Sequence, residues 1–544
     1  MKQQYRKAVT NRPSRWRTSV GAGLAAVCML LPLEAGSADT SVLVAAIPGL
    51  SGMDWAPATS SGDEEKLLIM VADTLTQLNP ETRQLEGALA KSWEISADGK
   101  TWTFTLKPDI KFHGDWGTVT SEDVKFSWWE WARPESTHTA RPQMAQAIDG
   151  KLENFEIVDD LTFKLHTEHP IVQLPAVLCS CWPGMTITSK KYFDEMPAEQ
   201  ANSHPIGTGP FEFVSAKPGV EIQLKANKGY WGTVPAFEQL TMLEIPDGAA
   251  RLAQVQSGAV DIAQLDSELF GEAQAAGLKI ATIKDFGNAF LLLGGSYYGT
   301  PDLDAKSPWI QEDAPEKGLA VREAMSLAID RQLIIDKLLH GEAKVAMGPL
   351  IWYPNEDLTD PNWKAPAFDL ELAKQKLAEG GYPDGFPVKM PIFADDINTD
   401  AIGEAIAGMW EDLGLQVTRD PTEKDLIDPI QANRQTAGMA YVLIAGYTAE
   451  PAMALSNYVS SRPDDPKLFL EAIDKGYDAL SVEPDVDKRF ATARDVIAQM
   501  RDLYQPLTLF TVNMPFVLGP KVGSWSPLPG LNSINSLETA TPAQ

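Results

Sequence analysis

Trp93-Glu94-Ile95-Ser96-Ala97-Asp98-Gly99-Lys100-Thr101-Trp102-Thr103-Phe104-Thr105-Leu106 decides how the first half of the chain is built. Large apolar side chains stand at Trp93, Ile95, Trp102, Phe104 and Leu106, alternating on both sides of Asp98-Gly99. Neighbouring strand residues point to opposite faces, so the pattern gives a two-stranded ribbon with one apolar face. Asp-Gly suits the turn because glycine accepts left-handed backbone without a steric penalty. Phe155 and Ile157 face Phe163 and Leu165 across Asp159-Asp160 in the same way. Phe211 and Phe213 face Ile222 and Leu224 across Lys217-Pro218-Gly219. The first half is therefore rich in hairpins.

Between the first two ribbons, Thr120-Ser121-Glu122-Asp123 places an acid three residues past a threonine cap and predicts a helix start. Val124, Trp128 and Trp131 then share one helix face, a core stripe rather than a ligand platform. The second half alternates helix and strand. Val321, Met325, Ala328 and Ile329 line one helix, and Asp330 caps the next, which Gly341 ends. Leu372, Leu377 and Gly380-Gly381 mark another helix, before a strand at Val388–Phe393. A helix at Ile402–Leu413 leads to a strand at Leu415–Thr418. This order predicts α/β layers with a partly parallel sheet. Only the stretch after Leu537 reads as loose.

A chain of 544 residues with 44% apolar residues exceeds one core, so two or three lobes are expected. Residues 1–38 read as a secretory signal peptide. Lys2, Arg6, Lys7, Arg12, Arg15 and Arg17 precede an apolar run, Val20 to Leu33, and the small residues Ala35-Gly36-Ser37-Ala38. As a helix that run reaches about 21 Å, short of the roughly 30 Å hydrocarbon core. Without this basic segment the net charge falls from -28 to about -33. Such acidity repels phosphate backbones and excludes nucleic acid as a partner. Only Cys179 and Cys181 then remain, for which free buried thiols and a tight disulfide both stand open. Metal binding would need more ligands than that pair. The chain has no Gly-x-Ser-x-Gly elbow, no His-Glu-x-x-His helix and no phosphate-binding Gly-x-x-x-x-Gly-Lys loop, so no residue is assigned a catalytic role.

Seven short motifs run in order along nearly the whole chain. They are Ala88-Leu89-Ala90-Lys91-Ser92-Trp93 with Asp98 to Phe104, Val119 to Val124, and Pro205-Ile206-Gly207-Thr208-Gly209-Pro210-Phe211. Asn227-Lys228-Gly229-Tyr230-Trp231-Gly232 and Gln256-Ser257-Gly258-Ala259-Val260-Asp261 follow. Val321-Arg322-Glu323-Ala324 with Ala328-Ile329-Asp330-Arg331, and Gly381-Tyr382-Pro383-Asp384-Gly385-Phe386, complete the series. Together they resemble the extracytoplasmic solute-binding proteins of family 5, the dipeptide, oligopeptide and nickel-type receptors of ABC importers. The motifs themselves read as scaffold, with Gly207 and Gly209 as turn positions of unusual backbone angle.

The resemblance implies an α/β, two-lobed periplasmic-binding-protein fold of the hinged type II, with an additional hairpin-rich subdomain. The expected division is lobe I from 39–72, 206–285 and 509–537, the inserted subdomain at 73–205, and lobe II at 286–508. It implies a monomeric, periplasmic receptor without enzyme activity, cofactor or metal, whose partners are a small-molecule or peptide ligand and the permease subunits of an ABC transporter. Peptide-binding members hold the peptide amine with an acid in a late Gly-Trp-x-x-Asp segment. The matching stretch here is Gly446-Tyr447-Thr448-Ala449-Glu450, with Tyr447 and Glu450 in altered roles. Gly446, Tyr447, Thr448 and Glu450 are therefore candidate ligand-binding residues, with Trp55 facing them from the other lobe. The loop Phe393-Ala394-Asp395-Asp396-Ile397-Asn398 contributes Asp395 but no basic residue for a ligand carboxylate. Oligosaccharide or opine-like ligands are the alternatives within the fold, and an exported hydrolase is the alternative outside it.

Overall fold

The computed structural model of the chain describes residues 41–544 apart from 51–54, 61–66, 139, 182–184, 297–306, 312, 349–359, 361, 394–398, 447, 456–457, 459–470 and 530–533. The segment read as a signal peptide lies outside the described residues. Strand β1 (Val42–Ile47) is followed by a small hairpin, β2 (Thr76–Leu78) and β3 (Leu85–Gly87). Then come β4 (Ala90–Ile95), β5 (Thr101–Leu106), β6 (Phe155–Asp159) and β7 (Thr162–His166). These four form a separate antiparallel sheet in the order β4-β5-β7-β6. Its apolar face carries Phe104, Phe155 and Phe163, whose rings stack at 4.8–5.2 Å. The Ser121–Ala132 helix covers that face and buries Val124, Trp128 and Trp131 completely. Asp123 accepts the Thr120 backbone N–H at 2.9 Å and closes the expected cap.

The main sheet continues with β8 (Phe211–Lys217), β9 (Glu221–Ala226), β10 (Gln239–Glu244), β11 (Ile262–Gln264) and β12 (Lys279–Leu293). It also takes β13 (Ala343–Val345) but not β14 (Pro387–Ile392) or β15 (Gln416–Pro421), which pair in parallel on their own. With β16 (Ala440–Gly446) and β17 (Leu507–Leu518) the order becomes β16-β12-β17-β11-β1-β10-β9-β8, with β13 beside β17. The long strands β12 and β17 pair antiparallel along most of their length. Their antiparallel ladder breaks between Ile283 and Gly287, where three residues of β12 oppose Asn513 alone. Asp285 takes a left-handed conformation there (φ 50°), donates its N–H to the Asn513 side chain at 3.0 Å, and pairs with Arg83 and Lys344, each at 2.9 Å. Such a bulge bends a strand locally while the ladder on either side stays paired.

The helices follow the capping pattern of the sequence. Asp330 accepts the Leu333 N–H, and Gly258 and Gly341 take positive φ just past their helices. The parallel pair β14–β15 is flanked by the Thr399–Leu413 helix, which starts three residues before the expected Ile402. Other expectations need correcting. Gly207 and Gly209 do not have unusual backbone angles. Their reason is proximity, since a Cβ at either would lie 2.3–2.6 Å from the Val71–Ala72 backbone. The stretch after Leu537 is ordered into place, with Leu537 and Ala540 buried and Thr541–Pro542 paired to Val522–Ser524. Cys179 and Cys181 form a disulfide, which resolves the two open readings.

Candidate functional site

Strand β16 pairs with β12 down to Gly446 opposite Gly287, beside the bulge in β12. The chain then leaves the sheet and reaches Glu450, just before the short Pro451–Leu455 helix. Proline is favoured at a first helical position, where its missing N–H has no intrahelical partner to lose. Glu450 faces the Val486–Asp502 helix. Arg489 on that helix donates Nε to Oε1 at 3.0 Å and Nη2 to Oε2 at 3.2 Å, a two-pronged ion pair with both side chains under a tenth exposed. The remaining Nη1 donates to the carbonyls of Glu483 and Pro484, both at 3.0 Å. Burial pushes the Glu450 carboxyl above its ordinary range, and Arg489 pulls it back down.

This pair forms part of the wall of a cleft of about 880 Å³. One wall is the β4 edge of the four-stranded sheet with Trp93, Glu94 and Ile95, backed by Trp102 and the Val172–Ala176 segment. The other is Ala449, Glu450 and the helix residues Val486, Asp487, Arg489, Phe490 and Arg494. A cavity of this size, mostly apolar with a few charged groups, suits a small organic ligand. Among the described residues no group of His, Cys, Asp or Glu is placed to hold a metal ion.

The residues singled out from sequence are distributed unevenly. Glu450 lines the cleft with its neighbour Ala449; Thr448 is buried just ahead of them, its hydroxyl donating to the Glu450 carbonyl at 3.4 Å. Gly446 ends its strand, exposed, outside the cleft lining. Trp55 packs in the core of the main sheet, edge-on to Phe213 at 5.5 Å, and its buried indole N–H has no acceptor among the described groups. Tyr447 and Asp395 lie outside the described residues. Sequence reasoning missed Arg489 and the aromatic wall. Arg489 sits in a charged helix 39 residues from its partner, and no spacing rule links them. The available signal was Glu450 itself, an acid in an apolar stretch that needs an opposite charge once buried.

A mixed α/β chain with a nine-stranded sheet, a separate four-stranded sheet and a cleft between that second sheet and a helix has the build of a two-lobed solute-binding protein. The family model described as bacterial extracellular solute-binding proteins, family 5, middle region, matches residues 84–466, and the chain belongs to that family. It is 29% identical over 371 residues to heme-binding protein A of Haemophilus influenzae, covering 64% of this chain and 63% of that protein. It is 26% identical over 389 residues to the dipeptide-binding protein of Escherichia coli, covering 66% and 67%. The solved structure of NikA from Brucella suis in complex with Fe(III)-EDTA superposes with a TM-score of 0.75 at 22% identity, covering 92% of this chain and 99% of that one. The family and these relatives are binding proteins rather than enzymes.

Proposed function

We propose that this chain is the extracytoplasmic substrate-binding protein of an ABC importer, capturing a small peptide or peptide-like solute and delivering it to a membrane permease. The observation that carries the reading is the cleft of about 880 Å³ between the four-stranded sheet and the Val486–Asp502 helix, in a chain of family 5. The dipeptide-binding relative supports the peptide class. The basic head and short apolar run of residues 1–38 support a periplasmic address, and among the described residues no helix is long and apolar enough to cross a membrane. The protein acts as a monomer and binds without converting its ligand. Its lobes divide at 39–72, 206–285 and 509–537 against 286–508, with 73–205 inserted. Support for that division comes from the ladder break between Ile283 and Gly287 and from the separate sheet formed by β4 to β7. Closure around the ligand is a hinge motion about the β12–β17 crossing.

Glu450 takes part differently from the first expectation. Arg489 already covers both its oxygens, so a ligand ammonium would share the carboxylate rather than own it. Trp55 keeps its place in the proposal through its unpartnered indole N–H. A thermal-shift screen of dipeptides, opine-like compounds and oligosaccharides, with mass spectrometry of any co-purified compound, tests the function. One solute, bound stoichiometrically and recovered unchanged, is the expected result. A solute recovered as product would replace the receptor with a hydrolase.

A further inference from the structure

Glu450 and Arg489 are the buried charges of the cleft wall, their side chains 8% and 6% exposed. Together they sum to zero charge. The carboxylate already accepts from Nε and Nη2 of Arg489, and the Ala452 N–H adds a third donor. A carboxylate offers about four acceptor sites, so little of it remains for a ligand. Arg489 is fixed from behind as well, because its Nη1 is held by the carbonyls of Glu483 and Pro484. Swinging it aside to bare the carboxylate would break those bonds too.

An ammonium entering this cleft gives up water and needs a full opposite charge in return. The neutral pair does not supply one. The other acids of the lining, Glu94 and Asp487, are exposed, where solvent reduces an ion pair to a small gain. An uncharged nitrogen is in a different position. An amide N–H needs only an acceptor, and Gln173 on the cleft buries its side-chain oxygen without a donor among the described residues. Leu85, Trp93, Trp102 and Phe490 add apolar surface to the same cavity.

We propose that the Glu450–Arg489 pair sets the specificity of the cleft: the guanidinium stands where a ligand ammonium would, so the cleft selects solutes whose nitrogen is acylated, N-acyl amino acids and N-acyl peptides, over those with a free amino group. This rests on the receptor reading above and narrows its peptide-like solute to one chemical class. Arg489 decides the outcome, since without its cover the same carboxylate becomes a partner for an ammonium.

The test is calorimetry with leucyl-phenylalanine and its N-acetyl form. Wild-type protein should bind the acetylated dipeptide about tenfold more tightly than the free one. In Arg489→Met, which bares the carboxylate, the order should reverse, with the free dipeptide favoured about tenfold. Arg489→Lys keeps a charge but not the two-pronged cover and should narrow the wild-type preference to about threefold, which decides the matter if Arg489→Met does not fold. A pair with a structural role alone would change stability and leave the ratio of the two affinities where it was in both variants, overturning the proposal. Tighter binding of the free dipeptide by wild type would overturn it and leave the receptor standing. Failure of both probes, beside one-to-one binding of another solute, would do the same. Turnover of either probe without a stable complex would remove the receptor reading with it.

Discussion

Where the main sheet meets the four-stranded sheet, Asp73 is buried among neutral donors. It accepts Thr208 Oγ1 at 2.7 Å, Trp231 Nε1 at 2.8 Å and the Tyr230 hydroxyl at 3.0 Å. At the cleft, Glu450 is buried against a single guanidinium that takes both its oxygens. Burial raises both carboxyls above their ordinary range, Asp73 against three hydrogen bonds and Glu450 against Arg489. The difference lies in what each arrangement can do. Neutral donors fixed by a motif hold a joint in one geometry. An arginine at the edge of a cavity leaves a compensated charge pair that a polar ligand can adjoin. Two of the seven motifs thus meet at the joint, supplying Thr208, Tyr230 and Trp231, and the cleft wall opposite β4 has none.

Removing the charge partner at the cleft should have the largest effect. Arg489→Met leaves Glu450 buried and uncompensated, and should cost about 3–5 kcal/mol in denaturant unfolding. Adding Glu450→Leu should recover most of that loss, because a matched apolar pair no longer buries a lone charge. If the double variant is no more stable than the single one, the pair is not the isolated unit described. At the joint, Asp73→Ala strands three buried donors and should cost about 3 kcal/mol. Solute affinity per folded molecule should stay unchanged there, which separates joint from cleft.

A smaller effect comes from pH. Glu538 is half-buried near Asp73, and burial with that neighbouring charge pushes its carboxyl up to about 7. The folded protein then keeps a proton on Glu538 that the unfolded chain, with its ordinary value of 4.5, has released. Between those two values the folded state binds more protons, so stability falls as pH rises through the window. Melting temperatures measured from pH 5 to 8 should decline less steeply in Glu538→Gln than in wild type. Equal slopes would place the titration elsewhere.

The hairpins and caps were legible because their causes are local. Asp98-Gly99, Thr120 with Asp123, and Gly258 act within a few residues of themselves. Gly207 and Gly209 were visible as glycines but not for their reason, which is the Val71–Ala72 backbone more than a hundred residues away. The bulge at Asp285 was hidden for a related reason, since its partners Arg83, Lys344 and Asn513 come from three distant segments. The late segment around Glu450 could be singled out from sequence, but its ion pair with Arg489 could not. The free edge of β4 could not be read at all, because an edge is defined by sheet order and not by the strand's own residues.

The central claim is that the cleft between β4 and the Val486–Asp502 helix binds a solute without changing it. Titration calorimetry of the co-purified solute into ligand-stripped wild type and Trp93→Ala tests it most directly. The account predicts one-to-one binding, recovery of the solute unaltered, and a loss of about tenfold in affinity when the Trp93 ring is removed from the cleft wall. Identical affinity in the two proteins, or a solute recovered as product, would contradict it.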